Sequence, residues 1–225
     1  LSAAGTRSPA IREDGGVNSS GPFPVVVLAS GGGTNLQAIL DRLHGQGEVE
    51  VVGVGSDKPG ARALERAATA GVPTSVFPRD DYPDREARDQ AMADWIQSTG
   101  ARLVALAGYM QLVSPGFVER FRGRIVNVHP ALLPSFPGLD AIGQALDQGV
   151  KVTGVTVHFV DEGTDTGPVI SQRAVEVPAN WDRDELETAI HAVEHEIYPE
   201  AIGMIARGEV RIADDEPRKV HVSRK

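Results

Sequence analysis

Cysteine is absent from this chain of 225 residues. Disulfides, thiolate catalysis and cysteine-based zinc sites are therefore excluded. The absence is compatible with a reducing, cytoplasmic setting. No apolar run approaches the roughly 18–20 residues of a membrane span, so no membrane partner is expected. The opening stretch LSAAGTRSPAIREDGG lacks the apolar centre of a secretion signal. Positive charge is also short, with a net charge of −9. A nucleic-acid surface needs a local basic cluster. The dense one here, Arg218, Lys219, Arg224 and Lys225, reads as a solvated tail. That balance speaks against a nucleic-acid partner. It leaves small anionic ligands open, because local dipoles can hold them.

Aromatics make up only 5% of the chain. Small aliphatics and 25 glycines take their place, as stacked βα units with tight turns require. Residues 1–23 read as a disordered N-terminal arm, rich in Gly, Ser and Pro. Residues 24–212 read as a single domain and residues 213–225 as a flexible C-terminal tail. Val25–Ser30 looks like a buried strand. Gly31, Gly32 and Gly33 break it, and Thr34 reads as a helix cap. Leu36, Ile39, Leu40 and Leu43 then fall on one helical face.

The alternation continues. Strands are expected at 49–55, 74–77, 102–107 and 124–129, and helices at 61–70 and 85–99. This pattern predicts an α/β fold with a Rossmann-like, mostly parallel sheet covered on both faces. The second half changes character. After a helix at 141–148, strands at 151–160 and 168–177 are joined by the short polar segment 161–167. So short a connection suits an antiparallel pair. A long helix follows from Arg183, with Leu186, Ile190, Val193 and Ile197 on its apolar face. Pro199 is expected to kink or interrupt it.

Four features could carry chemistry. Ser30–Asn35 lies between a strand and a helix. It reads either as an anion-binding helix start or as a plain tight turn. In Asn127-Val128-His129-Pro130, alternation projects Asn127 and His129 to one face. Pro130 ends the strand and leaves both at its carboxyl edge, where open α/β sheets bind ligands. The amide can donate to an oxyanion, and the imidazole can move a proton. A structural Asn beside a surface His fits the same pattern. The segment Asp161–Gly167 reads as a solvated turn, or as the source of a carboxylate returning to His129. His129, His158 and Asp165 could be imagined around a metal, but no short His pair anchors one. Glu187, His191 and Glu194 form a polar stripe on the long helix, by default a solvated face.

Together these segments resemble the glycinamide ribonucleotide formyltransferase family of purine biosynthesis. The resemblance rests on LASGGGTNLQAI, AGYMQLVSP, and above all NVHPALLPSFPG followed by VTVHFVDEGTDTGPVI. It implies the formyltransferase fold. It also implies transfer of a formyl group from 10-formyltetrahydrofolate, a co-substrate, to the amine of glycinamide ribonucleotide, without a metal. By resemblance, Asn127, His129 and Asp165 are the catalytic trio. Gly33, Thr34 and Asn35 would hold the ribonucleotide phosphate. Val128 and Pro130 would line that substrate, and Glu194 would meet its amine. Arg85, Met110, Gln111, Leu112, Val113 and Asn127 would hold the folate, with the 160–165 loop around its pterin. Two positions depart from the family pattern: Gln111, where Arg is frequent, and Asp140, where His is common.

Related families share the Asn-His-Asp core. Methionyl-tRNA formyltransferase carries an added basic C-terminal domain, and formyltetrahydrofolate deformylase a leading regulatory one. Chain length favours the small stand-alone transferase, a monomer or homodimer in the cytoplasm. The deformylase, or a formyltransferase with another amine acceptor, is the alternative.

Overall fold

The computed structural model describes residues 21–213, 215, 216 and 218–223. Most of the expected N-terminal arm, residues 1–20, lies outside them. Among the described residues nine strands and six α-helices follow in chain order. They are β1 (Phe23–Leu28), α1 (Thr34–Arg42), β2 (Val49–Ser56), α2 (Arg62–Thr69) and β3 (Thr74–Val76). Next come α3 (Arg85–Ser98), β4 (Leu103–Leu106), α4 (Pro115–Arg120), β5 (Ile125–His129) and α5 (Ala141–Asp147). The chain ends with β6 (Val152–Phe159), β7 (Val169–Glu176), α6 (Arg183–Ala206), β8 (Val210–Ile212) and β9 (Val220–Val222).

Seven strands form one sheet in the order β3-β2-β1-β4-β5-β6-β7. The first five are parallel. β6 runs antiparallel to β5, and β7 antiparallel to β6. The Rossmann-like reading therefore holds, with its antiparallel C-terminal portion. Strand alternation sorts the core. Val25 and Val27 face the layer of α1, α2, α5 and α6, while Val26 and Leu28 face α3 and α4. The chain leaves β1 toward β2 and β3, then returns to the other side of β1 through β4. The carboxyl ends of β1 and β4 thus flank a topological switch point, where the loops diverge and leave a crevice.

Several local expectations change. α1 begins at Thr34, and its N-cap is Gly33 at φ 70, with no side-chain cap hydrogen bond. Thr34 is the first helical residue rather than the cap. α4 was not anticipated, although Ser114 followed by Pro115 is a capping signature. The Ser114 hydroxyl accepts from Phe117 N–H at 3.3 Å. α6 runs unbroken through Pro199. Ile197, Tyr198, Pro199, Ala201 and Ile202 are all buried there, and their packing outweighs the one lost backbone bond. Part of the expected tail is a strand: β9 pairs antiparallel with β8, and Val220 packs against the core.

Candidate active site

The loop after β1 is shaped by glycine. A Cβ on Gly33 would lie 2.8 Å from both the Cα and the Cβ of Ala63, at a φ that L side chains rarely adopt. The uncapped start of α1 leaves its first N–H groups free for an anion. Asn35, one residue into that helix, donates from Nδ2 to Glu194 Oε2 at 2.8 Å. Its Oδ1 is buried with no hydrogen-bond partner among the described residues. Gly33, Thr34, Asn35 and Glu194 therefore gather at one place. Burial raises the Glu194 carboxyl above its ordinary value, against the opposing Asn35 hydrogen bond and the charge of His191. The polar stripe of α6 thus divides. Glu187 and His191 are partly exposed and 3.9 Å apart, while Glu194 is buried.

β5 delivers Asn127 and His129 to the α3–α4 side of the sheet, with Val126 and Val128 in the opposite core. His129 is buried. Its Nε2 lies 2.8 Å from the Phe136 carbonyl oxygen, and its Nδ1 3.4 Å from Asp165 Oδ2. A carbonyl can only accept, so Nε2 carries a proton. Asp165 Oδ2 also accepts from Gly138 N–H at 2.7 Å. Its other oxygen lies 3.6 Å from His158 Nε2. Burial pushes the Asp165 carboxyl up. The neighbouring His158 and His129 rings and the Gly138 N–H outweigh burial and hold it below its ordinary value.

His158 is a neighbour that sequence reasoning weighed only as a metal ligand. The β5–β6 register sets it directly across from Asn127, and Asn127 Nδ2 lies 3.3 Å from its Nε2. Cross-strand pairing was the signal that could have found it. Among the described residues no group of His, Asp and Glu is arranged to hold a metal ion.

The segment 161–167 is internally ordered. Asp161 Oδ1 accepts from Gly163 N–H at 3.0 Å and from Thr166 Oγ1 at 2.6 Å. A Cβ on Gly167 would run into the Phe159 carbonyl. Asp165 itself sits at φ 53, in the left-handed region that Asp tolerates better than most residues. The turn thereby aims one carboxylate back at β5.

These groups border a cleft of about 1520 Å³. Asn127, Val128, His129, Pro130 and Asp165 line it, as do Arg85 and Met110–Val113. Met110 and Leu112 are 60% and 67% exposed. Such large apolar groups in a concave wall suit a flat, largely apolar ring. Gly33, Thr34, Asn35 and Glu194 do not border this cleft, but they adjoin it. Ser30 of their loop donates its N–H to the Gly108 carbonyl at 3.1 Å, and its hydroxyl accepts from Met110 N–H at 2.8 Å. Asp140 lies on the cleft rim. It caps α5 through Gly143 N–H and pairs with Arg183 at 2.6 Å. That hydrogen bond to Arg183 lowers its pKa.

A Rossmann-like sheet whose last parallel strand carries Asn-x-His at its carboxyl end, with a loop carboxylate beside the imidazole in one cleft, defines a class. Residues 24–202 match the formyl transferase family model, and the chain belongs to that family. It is 42% identical over 188 residues to the phosphoribosylglycinamide formyltransferase of Bacillus subtilis, covering 81% of this chain and 96% of that protein. It is 44% identical to the trifunctional purine biosynthetic protein adenosine-3 of Drosophila melanogaster, where the match covers 85% of this chain and 14% of that longer protein. The crystal structure of glycinamide ribonucleotide transformylase 1 from Symbiobacterium toebii superposes with a TM-score of 0.86 at 48% identity. The match covers 90% of this chain and 95% of that one.

Proposed function

We propose that the chain transfers the formyl group of 10-formyltetrahydrofolate to the amine of 5'-phosphoribosylglycinamide, a step of purine biosynthesis. The observation that carries this reading is the convergence of Asn127, His129 and Asp165 in the cleft of a formyl transferase family member. The reaction needs what these groups offer. Attack of an amine on a formyl carbon develops an oxyanion, and the departing nitrogen takes up a proton. Asn127 keeps one amide N–H beyond its contact with His158, and that N–H can donate to the oxyanion.

His129 holds a proton on Nε2. A second proton on Nδ1 would face Asp165, so the doubly protonated ring finds an acceptor at each nitrogen. Asp165, held ionised, stands ready to accept from Nδ1 and orients the ring. For catalysis the imidazole exchanges its contact with the Phe136 carbonyl for the reacting oxygen or nitrogen. Phe136 sits at φ 54, a strained position for an aromatic residue in the loop that must yield.

The two substrates take adjacent sites. The phosphate is received by the free N–H groups of Gly33, Thr34 and Asn35, and the amine lies near Glu194. The folate lies along Met110–Val113, with Arg85 at its edge and the 160–165 loop around the pterin. Neither substrate needs a metal for this chemistry. A cytoplasmic location belongs to the proposal, since a phosphorylated substrate does not cross a bilayer unaided.

The test is an acceptor-dependence assay. The purified chain is incubated with 10-formyltetrahydrofolate, with and without 5'-phosphoribosylglycinamide, and loss of the formyl group is followed. Loss only with the ribonucleotide is expected. Formyl loss without any amine points to a deformylase, and transfer only to charged initiator tRNA overturns the reading.

A further inference from the structure

Gln111 of the Met110–Val113 wall is tied to a polar chain beneath it whose other members, Asp57, Arg88 and Asp89, the chemistry above does not use. Asp57, just after β2, is 8% exposed. Its Oδ2 accepts from Gln111 Nε2 at 3.1 Å, and its Oδ1 has no partner among the described residues. The Gln111 oxygen accepts in turn from Arg88 Nη1 at 3.4 Å. Arg88 donates from Nε and Nη2 to Asp89 Oδ1 at 3.0 and 2.7 Å. Asp89 Oδ2 accepts from the Ser114 N–H at 2.5 Å. Arg88 and Asp89, both on α3, are 2% and 1% exposed.

The chain therefore joins β2, α3 and the N-cap of α4 under one wall of the cleft. Both ends of the Gln111 amide are engaged inside the protein. Its neighbours Met110 and Leu112 are the largely exposed apolar groups of that wall. The wall is held at three points: Met110 by Ser30, Gln111 by Asp57 and Arg88, and Ser114 by Asp89. Two largely exposed apolar side chains hold a fixed position only if the backbone beneath them is fixed.

We propose that Asp57 is a positioning residue for the co-substrate wall: through Gln111 it fixes the Met110–Val113 segment against which the folate binds. The inference rests on the functional reading above for what the wall binds, but the tether exists in the free protein. A guanidinium at position 111 would stand beside Arg88, whereas an amide gives Asp57 a donor and Arg88 an acceptor at once.

Two readouts on the whole chain separate the possibilities. Hydrogen exchange of the free protein reads the tether without substrate. Gln111→Ala is expected to speed exchange at Met110 and Ser114 by about tenfold or more, with the amides of β4 and β5 unchanged. Steady-state kinetics reads the consequence. Gln111→Ala and Asp57→Ala are expected to raise KM for 10-formyltetrahydrofolate about tenfold, while kcat changes less than about threefold and the acceptor KM less than about twofold. Asp57→Asn keeps an acceptor oxygen for Gln111 and is expected to restore both readouts. Unchanged exchange at Met110 and Ser114 overturns the tether. So does faster exchange throughout the molecule with a lowered Tm, and so does Asp57→Asn as damaging as Asp57→Ala. Absence of turnover by the wild-type protein overturns the functional reading instead, and the exchange measurement then decides the tether alone.

Discussion

His129 is held at both nitrogens, by the Phe136 carbonyl on one side and Asp165 on the other. Removing His129 or Asp165 takes away the imidazole donor or the carboxylate that orients it. His129→Ala and Asp165→Ala are each expected to lower kcat on the order of 10²–10³, the usual magnitude for losing one oxyanion donor. Circular dichroism of both variants should match the wild type. Near-normal turnover in either would show the trio to be misassigned. Glu194 gives a second residue-scale test. Burial raises its carboxyl, so it favours the fold while protonated and loses that contribution as the pH rises through its native pKa. Glu194→Gln removes the buried charge and keeps an oxygen for Asn35. The variant should be as stable as the wild type or more so at neutral pH, by denaturant midpoint. Its KM for the amine acceptor should rise. A stability loss at neutral pH would contradict the burial argument.

At the scale of elements, the βα units were legible because periodicity is local. Leu36, Ile39 and Leu40 mark the buried face of α1, and the Val25–Val27 run marks β1, before any tertiary contact is known. The short α4 was hidden because six residues offer too little periodicity, and only its Ser-Pro start signalled it. β9 was hidden because a strand of three residues is defined by its partner β8 rather than by its own composition. The Gly loop carries the element-scale prediction. Gly33→Ala adds a Cβ 2.8 Å from Ala63 at a positive φ. It should destabilise the protein by about 1–3 kcal/mol and raise KM for the ribonucleotide through a displaced helix start. Chemical denaturation and kinetics with the phosphorylated acceptor check it. An unchanged midpoint would mean that the loop relaxes freely.

Across the whole molecule, α6 locks the sheet to the site. The Tyr198 hydroxyl, fully buried, lies 2.9 Å from the Leu106 carbonyl and 3.1 Å from that of Val126. One proton is shared between the backbones of β4 and β5. Tyr198→Phe should cost about 1–3 kcal/mol, because buried carbonyls lose their donor. Equilibrium unfolding reads it, and a neutral effect would imply that water replaces the hydroxyl. Acid should act through Asp165. Its carboxyl titrates below the ordinary value in the fold, so its contribution is present above the unfolded pKa. That contribution is lost as the pH falls through the native one. Asp165→Asn should therefore flatten the acid limb of the stability curve relative to wild type, measured by denaturant midpoints at successive pH values. Parallel acid limbs would show that Asp165 is not a source of acid sensitivity.

The sequence by itself determined the α/β alternation and the antiparallel tail of the sheet. It also determined the projection of Asn127 and His129 to one face at a strand's carboxyl end. These follow from side-chain periods of two and 3.6 residues, which any short window displays. The family pattern supplied Asp165 and Glu194 as candidates without a position for either. Only the tertiary structure decided which distant groups meet. Asn35 reaches Glu194 across 159 residues, Asp57 reaches Gln111 across 54, and His158 falls opposite Asn127 through strand register. Such pairs depend on the path of the chain through the sheet and on which polar groups burial leaves needing a partner. No local period encodes either.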